Sequence, residues 1–251
     1  MKKASLIFTA ALLAASCNDN NKKSESLTTE TDTIAMEETQ ETNEWRELFN
    51  GEDLEGWKAY NSDGEPTQWK VEDGTLAFAP SEGERSGSEN IITEDTFTNF
   101  ELSLEWKISE GGNSGIMWGV KEDDSLGEPY LSGPEIQVLD NKKHPDAANG
   151  PIRQAGALYD MVEPSEDVTK PAGEWNQTVI RIDHEANLGS VTMNGTKIGE
   201  FPLHGEEWDS LVAKSKFKDW PEFGKHHDGH IALQDHGDKV WYRNIKIKEL
   251  E

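Results

Sequence analysis

The sequence is short of cysteine and of positive charge. Cys17 is the single cysteine among 251 residues, so neither a disulfide within the chain nor a cysteine-based metal cluster can form. Lys and Arg number 24 against 49 Asp and Glu, which gives a formal net charge of −25. Nucleic acid is bound by clustered Lys and Arg, so this balance argues against a nucleic-acid partner. Walker-type, Gly-x-Ser-x-Gly and dinucleotide-binding motifs are missing, which argues against nucleotide, serine-hydrolase and nicotinamide chemistry.

Long apolar runs are also missing. The run from Leu6 to Ala15 is well short of the ~20 residues that a spanning helix needs, and after its basic start it is typical of a secretory signal. It ends in Leu13-Ala14-Ala15-Ser16-Cys17, which resembles the cleavage box of bacterial lipoproteins, although Ala14 and Ser16 replace the usual Leu and Gly or Ala. We therefore predict a signal peptide over 1–17, lipidation of Cys17, and anchoring to the bacterial cell envelope on its periplasmic or surface face. An ordinary signal peptide with an incidental cysteine is the alternative.

The next segment, 18–43, has few large apolar side chains. It carries seven acidic and two basic residues among many Thr, Ser and Asn, a composition that predicts a disordered acidic tether. All nine Trp lie beyond it, in a predicted single domain over 44–251.

Within 44–251 the informative pattern has a period of two. Residues 100–108 alternate apolar and polar side chains, as expected for a strand with one buried face. Similar short runs span 116–120, 135–140, 177–183, 190–194, 230–236 and 239–248, with turn signals such as Asp73-Gly74 and Asn194-Gly195 between elements. Only 208–218 suggests a helix. This pattern predicts an all-β fold, an antiparallel two-sheet sandwich or jelly roll.

The segment 135–140 holds the first candidate site residues. As a strand it places Glu135 and Gln137 on one face, and Ile136 and Val138 on the other. If the apolar pair faces the core, then Glu135 and Gln137 face outward or into a groove. An exposed strand face would show the same alternation. Asp140 is expected to be a turn residue or a secondary contact.

The glycine-rich segment 111–118 is the second candidate. Its glycines surround Asn113 and Ser114 and permit a close approach of backbone or ligand, and Trp118 offers a flat apolar surface suited to a sugar ring. A tight β-turn explains the glycines equally well.

The segment 229–237 is the third. Ile231 and Leu233 point one way along a strand, whereas Gln234 and His236 point the other, and a histidine on a polar face can act as an acid or base near neutral pH. A lone histidine is more often only a surface residue. The neighbouring run 226–230 lacks the helical His-x-x-x-His spacing and paired cysteines of a metal site, and we predict no metal ligands and no cofactor for this chain. A structural divalent cation stays open, because oxygen ligands from loops leave no regular spacing.

Taken in order, the motifs between residues 45 and 250 resemble the 3-keto-disaccharide hydrolase family. Each motif is weak alone, but ten in sequence are specific. They comprise the segments 48–57, 69–76, 91–93, 99–102, 112–116, 135–140, 156–159, 173–176, 194–195 and 229–237 with 243–245.

The resemblance implies a concanavalin-A-like, laminin-G-like β-sandwich, exported by bacteria, which acts on glycosides whose sugar is oxidised to a ketone at C3. Because a ketone at C3 acidifies the proton on C2, we expect elimination across C2 and C1 followed by hydration. Our hypothesis places Glu135 or His236 as the base and the other as the acid. The residues assigned to sugar binding are Asn113, Ser114, Trp118, Gln137, Tyr159 and Gln234.

The domain's excess of acidic residues favours a neutral 3-keto sugar or glycoside as the partner. The competing interpretation is a surface glycan-binding lipoprotein without turnover, since such sandwiches often serve as carbohydrate-binding modules. The two differ in whether Glu135 and His236 converge on one pocket, because a binding module needs aromatic rings and amides but no paired titrating groups. A calcium-stabilised adhesion domain, using Asp123-Asp124 and Asp140-Asn141, is a third interpretation.

Overall fold

A computed structural model describes residues 44–80 and 88–250. The predictions of a signal peptide over 1–17, lipidated Cys17 and a tether over 18–43 lie outside the described residues. The strands are β1 Arg46–Glu47, β2 Trp57–Ala59, β3 Trp69–Glu72, β4 Thr75–Phe78, β5 Ile91–Thr93, β6 Phe100–Ile108, β7 Asn113–Val120, β8 Glu135–Leu139, β9 Asn176–Asp183, β10 Leu188–Met193, β11 Thr196–Phe201, β12 His230–Leu233 and β13 Val240–Glu249. One α-helix among the described residues, α1, spans Gly205–Lys214. Three short 3₁₀ turns cover Pro129–Leu131, Pro145–Asn149 and Pro151–Arg153.

The strands form two antiparallel sheets, which confirms the predicted sandwich. The larger sheet has the order β11-β10-β9-β6-β13-β4-β3, with β1 also paired to β13. The smaller sheet has the order β2-β5-β12-β7-β8. Hydrogen-bonded neighbours are often distant in sequence, as in β12 beside β7, so residues from separate segments come to share one sheet face.

Alternation builds the main core between the sheets. On β6 the five even-numbered apolar residues from Phe100 to Ile108 are each at most 2% exposed. On β8 and β12 the core-facing pairs are Ile136 with Val138 and Ile231 with Leu233, all fully buried. These are the apolar faces that the period-two pattern predicts.

Tight turns at Asn-Gly and Asp-Gly close two hairpins of the larger sheet. Asn194 and Gly195 have φ of 50° and 85° between β10 and β11, and Asp73 and Gly74 have 51° and 72° between β3 and β4. Both central residues of a type I′ turn need positive φ, which Asn, Asp and Gly adopt most readily. The sequence signal for these turns is confirmed.

Helix α1 and the segment that follows it are packed together through large aromatic side chains. Helix α1 begins and ends a few residues before the predicted 208–218, with Trp208 buried against the core. The following chain packs Phe217 and Phe223 face to face, with ring centroids 3.9 Å apart, and sets Trp220 edge-on to Phe217 at 5.0 Å. This aromatic packing holds the long loop after α1 in one conformation. Among the described residues, no helix has the length and apolar character needed to cross a membrane.

One aromatic pair joins the two sheets. Trp118 on β7 of the smaller sheet stacks on Phe201 on β11 of the larger sheet, with ring centroids 5.8 Å apart, and both are at most 4% exposed. Phe201 lies opposite Gly189 on β10, whose missing side chain makes room for the ring. The stack closes the sandwich at the outer end of the larger sheet.

We expect Phe201→Ala to lower the free energy of unfolding by about 3–5 kcal/mol, because the substitution leaves a cavity beneath Trp118. Chemical denaturation measures this change. Lys197→Ala, an exposed residue on the same strand, serves as the control and is expected to change stability by less than about 0.5 kcal/mol. A loss below about 1 kcal/mol for Phe201→Ala would show that the stack does not hold the sheets together.

Candidate active site

A cavity of about 1000 Å³ lies on the face of the smaller sheet that is turned away from the main core. Its floor is formed by side chains of β7 and β8 and of the residues that follow β12. Its walls come from the loops around residues 130, 146 and 217. The lining residues are Ser88, Asn113, Glu128, Tyr130, Gly133, Glu135, Gln137, His144, Pro145, Asp146, Asn149, Tyr159, Lys216, Phe217, Trp220, Gln234, Asp235 and His236.

Glu135 lies at the centre of the floor. It is 7% exposed, and its side chain crosses directly over Gly115 on β7, where a Cβ atom would overlap the carboxylate. The glycine of the Asn-Ser-Gly motif is thus needed for close approach, of a side chain rather than of a ligand. Gln234 Nε2 donates to Glu135 Oε2 at 3.5 Å.

Burial raises the pKa of Glu135 to about 7, against the favourable charge of Lys216. A carboxylate with a pKa in this range is present in both protonation states at neutral pH. Such a group can accept a proton and later release it, as a general base or acid must.

Two amides beside Glu135 complete the floor. Asn113 and Gln234 line the cavity and are 5% and 7% exposed. Within the described residues, Asn113 Oδ1 and Gln234 Oε1 are buried without a hydrogen-bond partner. An unpaired buried acceptor destabilises a fold by about 1–3 kcal/mol, so these amides favour a role in binding a ligand with hydroxyl groups. Gln137 also lines the floor, and its Oε1 accepts from the Val138 amide at 3.1 Å.

Tyr159 lines one wall, held by a charged network. Its hydroxyl donates to Asp146 Oδ2 at 2.7 Å, and Arg153 pairs with Asp146 at 3.2 Å and with Asp160 at 2.8 Å. Burial raises the pKa of Tyr159, so the phenol keeps its proton. The ammonium of Lys216 lies 4.2 Å from the centre of the Tyr159 ring.

Lys216 brings a positive charge into the cavity. Partial desolvation lowers its pKa, while the carboxylates of Glu135 and Asp160 oppose that shift. Its backbone amide donates to Asp160 Oδ2 at 2.8 Å, which fixes the start of the aromatic loop. Among the described residues, no carboxylate lies within 4.0 Å of its ammonium.

Glu135 and His236 line the same cavity, as the enzyme interpretation requires. His236 is exposed at the cavity edge and meets His144 edge to face, with ring centroids 6.0 Å apart. Gln234 and His236 follow the end of β12, and both line the cavity.

Two of the predicted sugar contacts are placed elsewhere by the structure. Ser114 is fully buried, donates to the Gln234 carbonyl at 2.7 Å and shares a 2.8 Å hydrogen bond with the Tyr242 hydroxyl. Trp118 lies in the core against Phe201. On a strand where Asn113 faces the cavity, residues 114 and 118 fall on the opposite face, so the parity of the strand already separates them from the site. Asp140 is a turn residue, accepting from Gly111 N and Lys142 N.

Several lining residues were missed by the sequence analysis. They include His144, Lys216 and Trp220, which lie in loops where side-chain direction follows no period, and Asp146, which lies in a short 3₁₀ turn. The polar and aromatic clustering of 144–146 and 216–220 was the available signal, but clustering alone does not show which sheet face a loop covers.

The histidine run 226–230 does not converge on a common centre. His226 contacts Glu222 at 3.0 Å, His230 contacts the Thr93 carbonyl at 2.8 Å, and His227 stacks on His184. A different group, His144, His236 and Asp238, has three potential metal-ligand atoms within 4.8 Å of one another.

A family model and a curated relative both match this chain and indicate the same family. Residues 44–248 match the family described as the 3-keto-alpha-glucoside-1,2-lyase-like domain. A 3-keto-disaccharide hydrolase of Bacteroides thetaiotaomicron is 38% identical over 229 residues, covering 81% of this chain and 78% of the relative.

Solved structures are similar as well. A Parabacteroides distasonis protein named as a glycosyl hydrolase is 31% identical with a TM-score of 0.77, over 83% of this chain and 95% of its own. A second such protein from the same organism is 28% identical with a TM-score of 0.61, over 82% of this chain and 100% of its own.

We expect Gly115→Ala to displace the Glu135 side chain and to lower the free energy of unfolding by about 1–3 kcal/mol through overpacking. In a double-mutant cycle, Glu135→Ala is expected to remove most of that loss, because the added methyl group then has room. Gly199→Ala is the matched control, since that strand glycine has open space around its Cβ position. Additive effects of the two substitutions would disprove the contact.

The raised pKa of Glu135 also predicts a pH-dependent stability. The folded state favours the protonated carboxyl, so its contribution is fully present below the ordinary pKa of 4.5 and is lost as the pH rises through about 7. Between pH 5 and pH 9 the wild type is expected to lose on the order of 1–3 kcal/mol that Glu135→Gln retains. Urea denaturation at both pH values measures the difference, and parallel losses would contradict the burial of the charge.

Proposed function

The chain belongs to the 3-keto-alpha-glucoside-1,2-lyase-like domain family, and from this premise we propose that it cleaves 3-keto-glycosides by elimination, with Glu135 as the base. At the coarser level it is a carbohydrate-active enzyme of glycosidase type. The observation that carries the finer proposal is the buried Glu135 carboxylate, with its pKa near 7, on the floor of an amide-lined cavity.

The chemistry of a 3-keto sugar explains what such a site must supply. The ketone at C3 acidifies the proton on C2, so a positioned base can remove it. The electron pair left on C2 forms the C1–C2 double bond as the oxygen on C1 leaves with its aglycone. Water adding across that double bond then gives the free 3-keto sugar. This route avoids an oxocarbenium ion, so the paired carboxylates of ordinary glycosidases are not required.

Glu135 suits the base at C2. A catalytic base is most effective when its pKa lies near the working pH, and burial brings a carboxylate into that range. Gln234 contacts the carboxylate and orients it, and the unpartnered amide oxygens of Asn113 and Gln234 can accept hydrogen bonds that sugar hydroxyls donate.

Lys216 suits the acid that protonates the leaving oxygen. Its pKa is lowered by its surroundings, which strengthens the ammonium as a proton donor. Its ammonium lies over the Tyr159 ring in the cavity that Glu135 also lines, so acid and base can reach one bound substrate. The sequence predicted His236 as the second acid or base. His236 lies beside His144, and in this assignment it neither donates nor accepts a proton in the reaction.

The second candidate function is sugar binding without turnover. Tyr130 and Trp220, whose ring centroids are 5.9 Å apart, line the cavity and would hold a sugar in either case. Export to the envelope and the lipid anchor at Cys17 stay proposals drawn from the sequence alone, as does the neutral character of the sugar.

We expect the purified full chain to release the chromophore from a chromogenic 3-keto-glucoside but not from its unoxidised parent. Glu135→Gln is expected to lower kcat roughly 10²–10⁴-fold, the contribution of a positioned base. In the wild type kcat/KM is expected to rise with pH through about 7, because the base must be ionised. Glu200→Gln, an exposed strand carboxylate far from the cavity, is the control.

Three outcomes would revise the proposal. Equal cleavage of both substrates would indicate an ordinary glycosidase. Binding of the 3-keto sugar without cleavage would favour the binding module. Unchanged kcat in Glu135→Gln would remove Glu135 from the role of base.

A further inference from the structure

Three potential metal ligands meet at one edge of the cavity. His144 follows β8, at the start of the 3₁₀ turn Pro145–Asn149, whereas His236 and Asp238 lie in the loop between β12 and β13. One ligand atom from each lies within 4.8 Å of the other two. Two imidazoles and one carboxylate from separate loops form a donor set that first-row divalent metals favour.

The orientation of the rings separates this cluster from the other group of histidines. Imidazole lone pairs lie in the ring plane, so rings ligate one ion when their edges converge. For His144 and His236, whose rings are inclined at 82°, the convergence is shown by the ligand atoms, which lie within 4.8 Å of one another. His227 is nearly parallel to His184, at 10°, with their centroids 4.1 Å apart, so their lone pairs run side by side.

The surrounding structure holds two of the three ligands in place. Asp238 Oδ2 accepts from the backbone amide of Asn113 at 3.1 Å, which ties it to the strand that forms the cavity floor. His144 Nδ1 accepts from the Asp146 amide at 3.1 Å, which fixes the ring at the start of its turn. The hydrogen bond to Asp238 is of the kind that orients a metal-ligating carboxylate, and it can persist with an ion bound.

We propose that His144, His236 and Asp238 bind one first-row divalent ion, such as Zn²⁺ or Mn²⁺, at the edge of the cavity. Three protein ligands leave coordination positions open, as in catalytic rather than structural sites. His144 and His236 line the cavity, so the open positions are within reach of a bound ligand.

On the proposed function, the ligand for those open positions is the substrate itself. A 3-keto sugar presents its ketone oxygen next to a hydroxyl, a pair that chelates one ion. An ion bound to the ketone oxygen acts as a Lewis acid and stabilises the negative charge that develops there when C2 loses its proton. Glu135 remains the base, and the ion takes the role of enolate stabiliser.

Ion binding has a structural consequence at His144. A ring that ligates through Nε2 carries its proton on Nδ1, and a protonated Nδ1 cannot accept from the Asp146 amide. The ion therefore replaces that hydrogen bond, and the Asp146 amide becomes a specific reporter of occupancy.

The test measures binding of ZnCl₂ and of MnCl₂ to the chelator-treated full chain by isothermal titration calorimetry. We expect one ion per chain, with affinity reduced at least tenfold in His236→Gln and in Asp238→Asn, and a changed NMR shift for the Asp146 amide. Asp238→Asn keeps an acceptor for the Asn113 amide, so a loss of affinity there reflects the ligand and not the fold. His227→Gln, from the stacked histidines, is the matched control and should bind normally.

Activity on the chromogenic 3-keto-glucoside separates the two proposals. Binding at these residues without turnover by the wild type would leave the ion site standing and overturn the proposed function. Turnover that survives chelation, with no binding at 1 mM ion, would overturn the ion site and leave the function standing. Normal binding in both ligand variants, or binding lost in His227→Gln, would place the ion elsewhere and also overturn the site.

Discussion

The site depends on a carboxylate held where water is scarce. Glu135 projects from β8, at the edge of the smaller sheet, is almost fully buried, and fits only because residue 115 on the neighbouring strand is glycine. Burying an ionisable group disfavours its charged form, which is the reason for the raised pKa. The fold must compensate for this group elsewhere, and the two-sheet core supplies the necessary stability.

The cavity and the core lie on opposite faces of the same strand, β7. Along β7, Asn113 and Gly115 serve the cavity, while Ser114 and Trp118 on the reverse face bind the strand to the larger sheet through Tyr242 and Phe201. The Ser114 hydroxyl also holds the backbone of Gln234, which contacts Glu135. Because so few contacts link the core to Glu135, a change in the packing between the sheets is expected to move its carboxylate.

The loops that form the cavity walls each carry different functional side chains. One brings Tyr159 and its charged network, a second brings Lys216 on a framework of stacked aromatic rings, and a third carries His236 and Asp238. In the combined proposal the rigid sheet positions the base, and the loops bring the acid and the ion. On that proposal, changes in the loops would alter the aglycone specificity without disturbing the sheet that positions Glu135.

By itself the sequence determined the sandwich, the approximate bounds of seven of the thirteen described strands, both hairpin turns and the side of β8 that carries Glu135 and Gln137. It could do so because alternation and turn chemistry are local properties of the chain. The same parity also contained the evidence against Ser114 and Trp118 as sugar contacts, once Asn113 was placed on the cavity face. Tertiary structure alone decided which strands became neighbours, that Gly115 makes room for Glu135, and that His144 meets His236 and Asp238. Those contacts join segments up to about a hundred residues apart, and no pattern along a chain records the distance between two loops in space.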